Sequence, residues 1–120
     1  MLGNMSRIIS PSVLSADFLH LGRDTEMLNR SEAEWIHIDV MDGVFVPNLS
    51  FGFPVLSAIR KVTTKVLDTH LMIVEPERYI ERFAKAGADI ITIHIEATED
   101  LPAAIRMIKA CGVKAGVSIK

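Results

Sequence analysis

The sequence predicts an α/β protein built around a parallel β-sheet, and two observations support this. Short runs rich in β-branched residues alternate with stretches of helical spacing along the 120-residue chain. The connections between them are short, which is typical of right-handed βαβ units. The alternation continues without a linker or a low-complexity segment, so we expect residues 1–120 to form a single domain.

Five segments have the composition of buried strands, in which aliphatic and β-branched residues dominate. In chain order they are residues 7–15, 35–41, 66–73, 89–97 and 114–119. Hydrophobic periodicity alone does not distinguish an open, doubly wound sheet from a closed barrel. The glycine-rich G-x-G-x-x-G turn is absent from the sequence, which excludes the dinucleotide-binding form of the open sheet.

Four helices are predicted between these strands, the first at about residues 19–30. Each of the other three has a proline near its start, where the missing N–H needs no partner. These prolines are Pro54, Pro76 and Pro102. Gly87 and Gly112 follow the last two helices, as glycine commonly does at a helix end.

Each strand divides into two faces, because successive side chains point in opposite directions. One face is largely aliphatic, and we expect it beneath the helices; it includes Ile36, Ile38, Val40, Leu67, Leu71, Ile91, Ile93 and Ile95. The other face carries His37, Asp39, Asp68, His70, His94 and Glu96. Such groups are costly to bury unpaired, and ligands bind at the C-terminal ends of parallel strands. The sequence therefore predicts a functional site on the polar face.

His37, Asp39 and His70 form the most informative subset of this face. His37 and Asp39 are two residues apart on one strand and so share a face, and His70 occupies the corresponding level of the next strand. Two imidazoles and a carboxylate suit one divalent metal ion, and Zn, Fe, Mn and Co all remain open. Such an ion could polarise a substrate carbonyl, while Asp39 accepts a carbon-bound proton.

The remaining polar-face residues admit a structural reading as well as a functional one. Asp68 lies deeper in its strand, and we expect it to be a structural hydrogen-bond acceptor. His94 and Glu96 are either functional residues of the site or structural ones, that is, partners of the ligands or stabilising residues. Met41 and Met72 would by default fill the core.

Composition argues against a nucleic-acid-binding, a disulfide-bonded and a membrane-spanning protein. The formal net charge is -2 with no long run of one sign, which argues against nucleic-acid binding. The single cysteine, Cys111, excludes an intramolecular disulfide and fits a reducing compartment. No apolar run reaches the ~20 residues of a membrane span or has the features of a signal peptide. We therefore expect a cytoplasmic protein without a membrane partner.

Four segments are distinctive in their residues, order and spacing. They are ISPSVL at residues 9–14, HIDVMDGVFVPNLSFG at 37–52, DTHLM at 68–72 and TIHIEAT at 92–98. Together they resemble the ribulose-phosphate 3-epimerase family. The resemblance implies a (β/α)8 barrel, of which this chain would contain about five parallel strands and four helices.

The resemblance also implies a metal-dependent isomerase of the pentose phosphate pathway. Its reaction would interconvert D-ribulose 5-phosphate and D-xylulose 5-phosphate by proton transfer at C3 through an enediolate. His37, Asp39 and His70 would bind the metal, and Asp39 would be one of two acid/base carboxylates. The implied substrate contacts are Ser12, His37, His70, Met41 and Met72.

A complete barrel of this kind needs ~200 to 250 residues. We therefore expect the second catalytic aspartate and the glycine-rich phosphate-binding loops to lie outside these residues. A homo-oligomer is also expected, because an open sheet edge favours self-association. Two alternatives remain: an epimerase for a six-carbon ketose 6-phosphate, and a catalytically incomplete metal-binding fragment.

Overall fold

A computed structural model describes residues 27, 29–31, 34–45 and 53–119 of the chain. The strand predicted at residues 7–15 lies outside the described residues, as do Ser12 and most of the helix predicted at 19–30. The other four predicted strands and three predicted helices lie within the described ranges. Their order along the chain is as predicted.

The described strands are β1 (Trp35–Met41), β2 (Val66–Met72), β3 (Ile90–His94) and β4 (Lys114–Ser118). The α-helices are α1 (Phe53–Val62), α2 (Ile80–Ala86) and α3 (Leu101–Ala110). Two 3₁₀ turns, Pro76–Arg78 and Ile95–Ala97, follow β2 and β3. Among these described segments, no helix has both the length and the apolar character needed to cross a bilayer.

The strands form one sheet in the order β1-β2-β3-β4, and every neighbouring pair is parallel. The three helices share one hydrophobic core with the aliphatic face of the sheet, so they cover the same side of it. A doubly wound sheet would instead reverse its strand order and carry helices on both faces. The architecture is α/β and is consistent with part of a (β/α)8 barrel, which resolves the choice that periodicity left open.

The core lies between the sheet and the helices, where alternate strand residues meet one side of each helix. Its largest fully buried members are Ile36, Ile38, Leu56, Ile59, Leu67, Leu71, Ile80, Ile91, Ile93 and Ile108. The aliphatic face predicted from the sequence is therefore confirmed on β1, β2 and β3. The polar face lies opposite it.

Two predicted boundaries were wrong. The strand predicted at residues 89–97 ends at His94, so Ile95 starts a 3₁₀ turn and is exposed instead of lying beneath the helices. Pairing with β2 and β4 ends at this point, and without a neighbouring strand the alternation of faces stops. Pro76 begins a 3₁₀ turn, and the α-helix that follows it starts only at Ile80.

The described part of the sheet ends at β4, which pairs with β3. Val117 and Ile119 are exposed at this end of the described sheet. Exposed apolar side chains at a sheet edge favour association. Self-association of the chain stays a prediction.

Arg60 joins three elements near the N-terminal ends of the strands. Its guanidinium donates hydrogen bonds to the backbone carbonyls of Thr63, Lys65 and Gly87. It also donates to the carboxylate of Asp89, 2.8 Å away, just before β3. One side chain on α1 therefore connects the starts of β2 and β3.

Substitutions at Gly87 and Gly112 can test the connection made by Arg60. The two positions are comparable because both have positive φ angles, +125° and +79°. A Cβ atom strains either backbone, by roughly 1–2 kcal/mol. At Gly87 it would also lie 2.5 Å from Cδ of Arg60, whereas no atom lies within 4 Å of it at Gly112. We expect Gly87→Ala to lower the free energy of unfolding more than Gly112→Ala does, measured by urea denaturation. Equal losses would contradict the role given to Arg60.

Candidate metal site

The register between β1 and β2 brings the predicted ligands together. Asp39 is aligned with His70, and His37 with Asp68. These residues alternate along their strands with buried ones, so their side chains share the face opposite the helices. The alternation read from the sequence therefore placed them on the correct face.

Three side chains on this face, those of His37, Asp39 and His70, offer ligand atoms that all lie within 4.8 Å of one another. Oδ1 of Asp39 is 2.6 Å from Nε2 of His37 and 3.4 Å from Nδ1 of His70. Metal–ligand bonds of about 2.1 Å place neighbouring ligand atoms about 3.0–3.4 Å apart. The cluster therefore needs only small side-chain adjustments to hold a divalent ion, and its donor types suit one.

Asp68 fixes the orientation of His37. Nδ1 of His37 donates to Oδ2 of Asp68 at 2.9 Å, so Nε2 is the ring nitrogen that faces Asp39. A carboxylate bound to the second nitrogen of a ligand histidine is a common arrangement in metal sites, because it orients the ring. The expectation that Asp68 accepts a hydrogen bond is confirmed.

The two histidines have pKa values shifted in opposite directions. The hydrogen bond to Asp68 raises the pKa of His37 above the ordinary 6.5, against the effect of burial and with help from the charge of Asp39. Burial lowers the pKa of His70, and neighbouring His94 lowers it further. Because metals bind neutral imidazole, the lowered pKa of His70 favours metal binding, whereas the raised pKa of His37 means that a metal competes with a proton there.

His94, at the end of β3, lies against His70. Their Nε2 atoms are 2.8 Å apart, and the rings are stacked at an interplanar angle of 18°. The ring of Phe45, from the loop after β1, packs on His94 with centroids 5.1 Å apart. His94 therefore contacts a predicted ligand, and its functional role stays a prediction.

Asp42 joins the loops that follow β1 and β2. Its Oδ1 accepts hydrogen bonds from the N–H groups of Val44 and Phe45, and its Oδ2 accepts one from that of Val74. Burial opposes ionisation, but these backbone hydrogen bonds lower the pKa of Asp42. Asp42 and Phe45 lie in the distinctive segment at 37–52, but neither was predicted as a site residue. The Asp-Gly pair at 42–43, typical of a turn, is a local signal that points to this loop.

Met41 and Met72 are aligned partners on β1 and β2, one step beyond the Asp39–His70 pair on the same face. Both are partly buried. Their positions allow the predicted contact with a substrate, which stays a prediction. The same holds for Ser12, whose position lies outside the described residues.

The chain matches the ribulose-phosphate 3 epimerase family over residues 8–120. It is 52% identical over 111 residues to the ribulose-phosphate 3-epimerase of Synechocystis sp., an alignment covering 91% of this chain and 48% of the relative. The Bacillus subtilis ribulose-phosphate 3-epimerase is 54% identical over 109 residues, covering 91% and 50%. The chloroplastic ribulose-5-phosphate-3-epimerase of Arabidopsis thaliana is 50% identical over 112 residues, covering 92% and 40%. The chain thus spans about half the length of the curated relatives it matches, or less.

The role of Asp68 can be tested by titrating His37 in the metal-free chain. Asp68→Asn removes the carboxylate that favours the protonated ring, so we expect the pKa of His37 to fall, measured by NMR of the imidazole protons. Asp100→Asn is the control, because Asn can retain the N-cap of α3 and Asp100 is not among the groups that shift the pKa of His37. An unchanged pKa of His37 in Asp68→Asn would contradict the assignment.

Proposed function

Because the chain belongs to the ribulose-phosphate 3-epimerase family, we propose that it supplies the metal-binding half of an epimerase site for a ketose phosphate. The proposed reaction converts D-ribulose 5-phosphate to D-xylulose 5-phosphate by inverting C3. The observation that carries the proposal is the convergence of His37, Asp39 and His70 on two adjacent parallel strands. Family membership supports the proposed substrate class, and the geometry of this cluster supports the proposed position of the metal.

The proposed metal is one divalent ion, Zn, Fe, Mn or Co, held by His37, Asp39 and His70. Their mixed nitrogen and oxygen donors are compatible with each of these ions. When bound, the ion would polarise the substrate carbonyl and neighbouring hydroxyl and stabilise the negative charge that develops on them. His37 and His70 are also proposed substrate contacts, on the strength of the family resemblance alone.

Asp39 is the proposed proton acceptor. Its side chain is 17% exposed and lies between two imidazoles, towards the C-terminal end of β1 where parallel α/β folds bind ligands. Its carboxylate would take the proton from C3 while the C–H electron pair passes into the enediolate. A second acid must return a proton to the opposite face of C3. We propose that the part of the relatives this chain does not span supplies it.

The substrate phosphate is proposed to lie away from the ends of β2 and β3. A groove of about 630 Å³ there has an acidic lining that includes Glu75, Glu77, Glu96, Glu99 and Asp100. Arg78 is the cation in the described part of this lining, and it lies 3.5 Å from Glu75. A phosphate dianion would be repelled by this concentration of carboxylates. This supports the expectation that phosphate-binding loops lie outside these residues.

Met41 and Met72 are proposed to line the substrate side of the site. Each lies one step beyond a proposed ligand on the same strand face. Thioether sulfur is polarizable and apolar, so it can contact delocalised charge without competing for the proton. Ser12 is a further proposed substrate contact, on the strength of the family resemblance alone.

The proposal is tested by epimerase turnover in two proteins: this chain alone, and this chain joined to the C-terminal half of the Bacillus subtilis relative. We expect turnover of ribulose 5-phosphate in the joined protein, lost with a chelator and restored by added divalent metal. Turnover that survives complete metal removal would contradict the metal assignment. A strong preference for allulose 6-phosphate would contradict the substrate, and metal binding without turnover in the joined protein would contradict the activity.

Asp39→Asn tests the proton acceptor in the joined protein. General-base catalysis contributes about 10²–10⁴-fold, so we expect C3 proton exchange in D₂O to slow by at least about 10²-fold. Asp100→Asn, at the start of α3, is the matched control and should leave exchange unchanged. Exchange at the original rate in Asp39→Asn would remove Asp39 from the acid/base role.

His37→Ala and His70→Ala separate metal binding from proton transfer. Each removes one proposed ligand, so metal affinity and turnover should fall together, and excess metal should partly restore turnover. Calorimetric titration with Zn²⁺, run beside the turnover assay, measures both quantities. Loss of turnover with unchanged metal affinity would show that the histidine acts on the substrate alone.

A further inference from the structure

We propose that His94 is a positioning residue for His70: it holds the His70 ring so that Nδ1, and not Nε2, faces the metal position. The inference rests on the proposed function, because it takes His70 to be a metal ligand. It assigns a role to a β3 residue outside the three-residue cluster. The argument depends on which neighbour each nitrogen of His70 has.

The two ring nitrogens of His70 face different partners. Nε2 is 2.8 Å from Nε2 of His94, whereas Nδ1 is 3.4 Å from Oδ1 of Asp39. A neutral imidazole has one N–H donor and one acceptor nitrogen. Asp39 alone would attract a proton to Nδ1 of His70, but a divalent ion bound there would take the place of that proton. When Nε2–H of His70 donates to His94, the lone pair of Nδ1 is available to that ion. The contact with His94 thus selects the nitrogen that binds metal.

His94 is itself held in place. Its side chain is buried, at 6% exposure, and its ring lies between those of His70 and Phe45. The backbone N–H of Phe45 donates a hydrogen bond to the carboxylate of Asp42, which holds this loop in place. His94 is therefore a fixed partner for His70, since its ring cannot turn away without disturbing the contacts with both rings.

The proposed tautomers also bear on the second ring nitrogen of His94. Nδ1 is buried, and within the described part of the chain it has no hydrogen-bond partner. If Nε2 of His94 accepts from His70, Nδ1 must carry the proton, and Oε1 of Glu96 lies 3.6 Å from it. That distance exceeds a hydrogen bond, but the carboxylate still favours an N–H directed towards it. A single tautomer of each ring accounts for the contact and for the buried nitrogen.

The two proposed ligand histidines are thus held in the same way by different groups. Asp68 accepts from Nδ1 of His37. In the proposed tautomer, His94 likewise accepts from Nε2 of His70. Each ligand ring then presents its other nitrogen to Asp39. Outer partners of metal ligands typically contribute 10–100-fold to metal affinity.

The experiment uses the full chain and Co²⁺, whose visible spectrum reports the ligand set. His94→Phe keeps a ring against Phe45 but removes both nitrogens, and we expect Co²⁺ affinity to fall about 10–100-fold. His94→Gln restores an acceptor near the position of Nε2 and should recover most of that affinity. Thermal unfolding of each variant separates a loss of positioning from a loss of fold.

The tautomer of His70 gives a readout that a merely structural role would not change. Long-range ¹⁵N–¹H NMR of the Zn²⁺-loaded wild-type chain should show the proton on Nε2 of His70, and His94→Phe should weaken this preference. Finding the proton on Nδ1 in the wild type would overturn the inference, without any variant having to fold.

The outcomes also separate this inference from the proposed function. If the wild type binds Co²⁺ through His70, and His94→Phe binds equally well, the positioning role is overturned and the metal site stands. If the wild type binds no Co²⁺, or His70→Ala binds it as tightly as the wild type, the metal site fails and this inference fails with it.

Discussion

The parallel register between β1 and β2 is the constraint on which the candidate site depends. It aligns Asp39 with His70 and His37 with Asp68, and a slip of one residue would turn one strand's polar side chains into the helix layer. The opposite faces of the same strands prevent such a slip. Ile38 and Leu71 are fully buried beneath the helices, and exchanging such residues for histidine or aspartate would leave unpaired polar groups in the core. Core packing therefore determines the geometry of the polar cluster.

The polar side chains of the sheet contact one another in a continuous row. Asp68 contacts His37, His37 contacts Asp39, Asp39 lies beside His70, and His70 contacts His94. Acidic and basic groups alternate along the row until the two imidazoles meet. This explains why the pKa of His37 is raised and that of His70 is lowered: His37 lies between two carboxylates, whereas His70 is more strongly affected by burial and by a second ring.

The strands and the ligand cluster could be predicted from sequence because they depend on local regularities. The period-two pattern at residues 35–41 gives both the bounds of β1 and the face of its polar residues. Strand order, the Phe45–His94 contact and the bridge from Asp42 to Val74 could not be predicted, since they depend on how loops and neighbouring strands meet in space. Ile95 shows the same limit, because the alternation of faces holds only while a neighbouring strand is present.

The position of Arg60 has a consequence for how such a protein can change over evolutionary time. Its hydrogen bonds connect elements at the N-terminal ends of β2 and β3, whereas the polar cluster lies towards the opposite ends. Substitutions around Arg60 can therefore alter how long the folded chain persists without touching the groups that would meet a substrate. The two ends of one sheet can adapt under separate selective pressures, one to growth temperature and the other to chemistry.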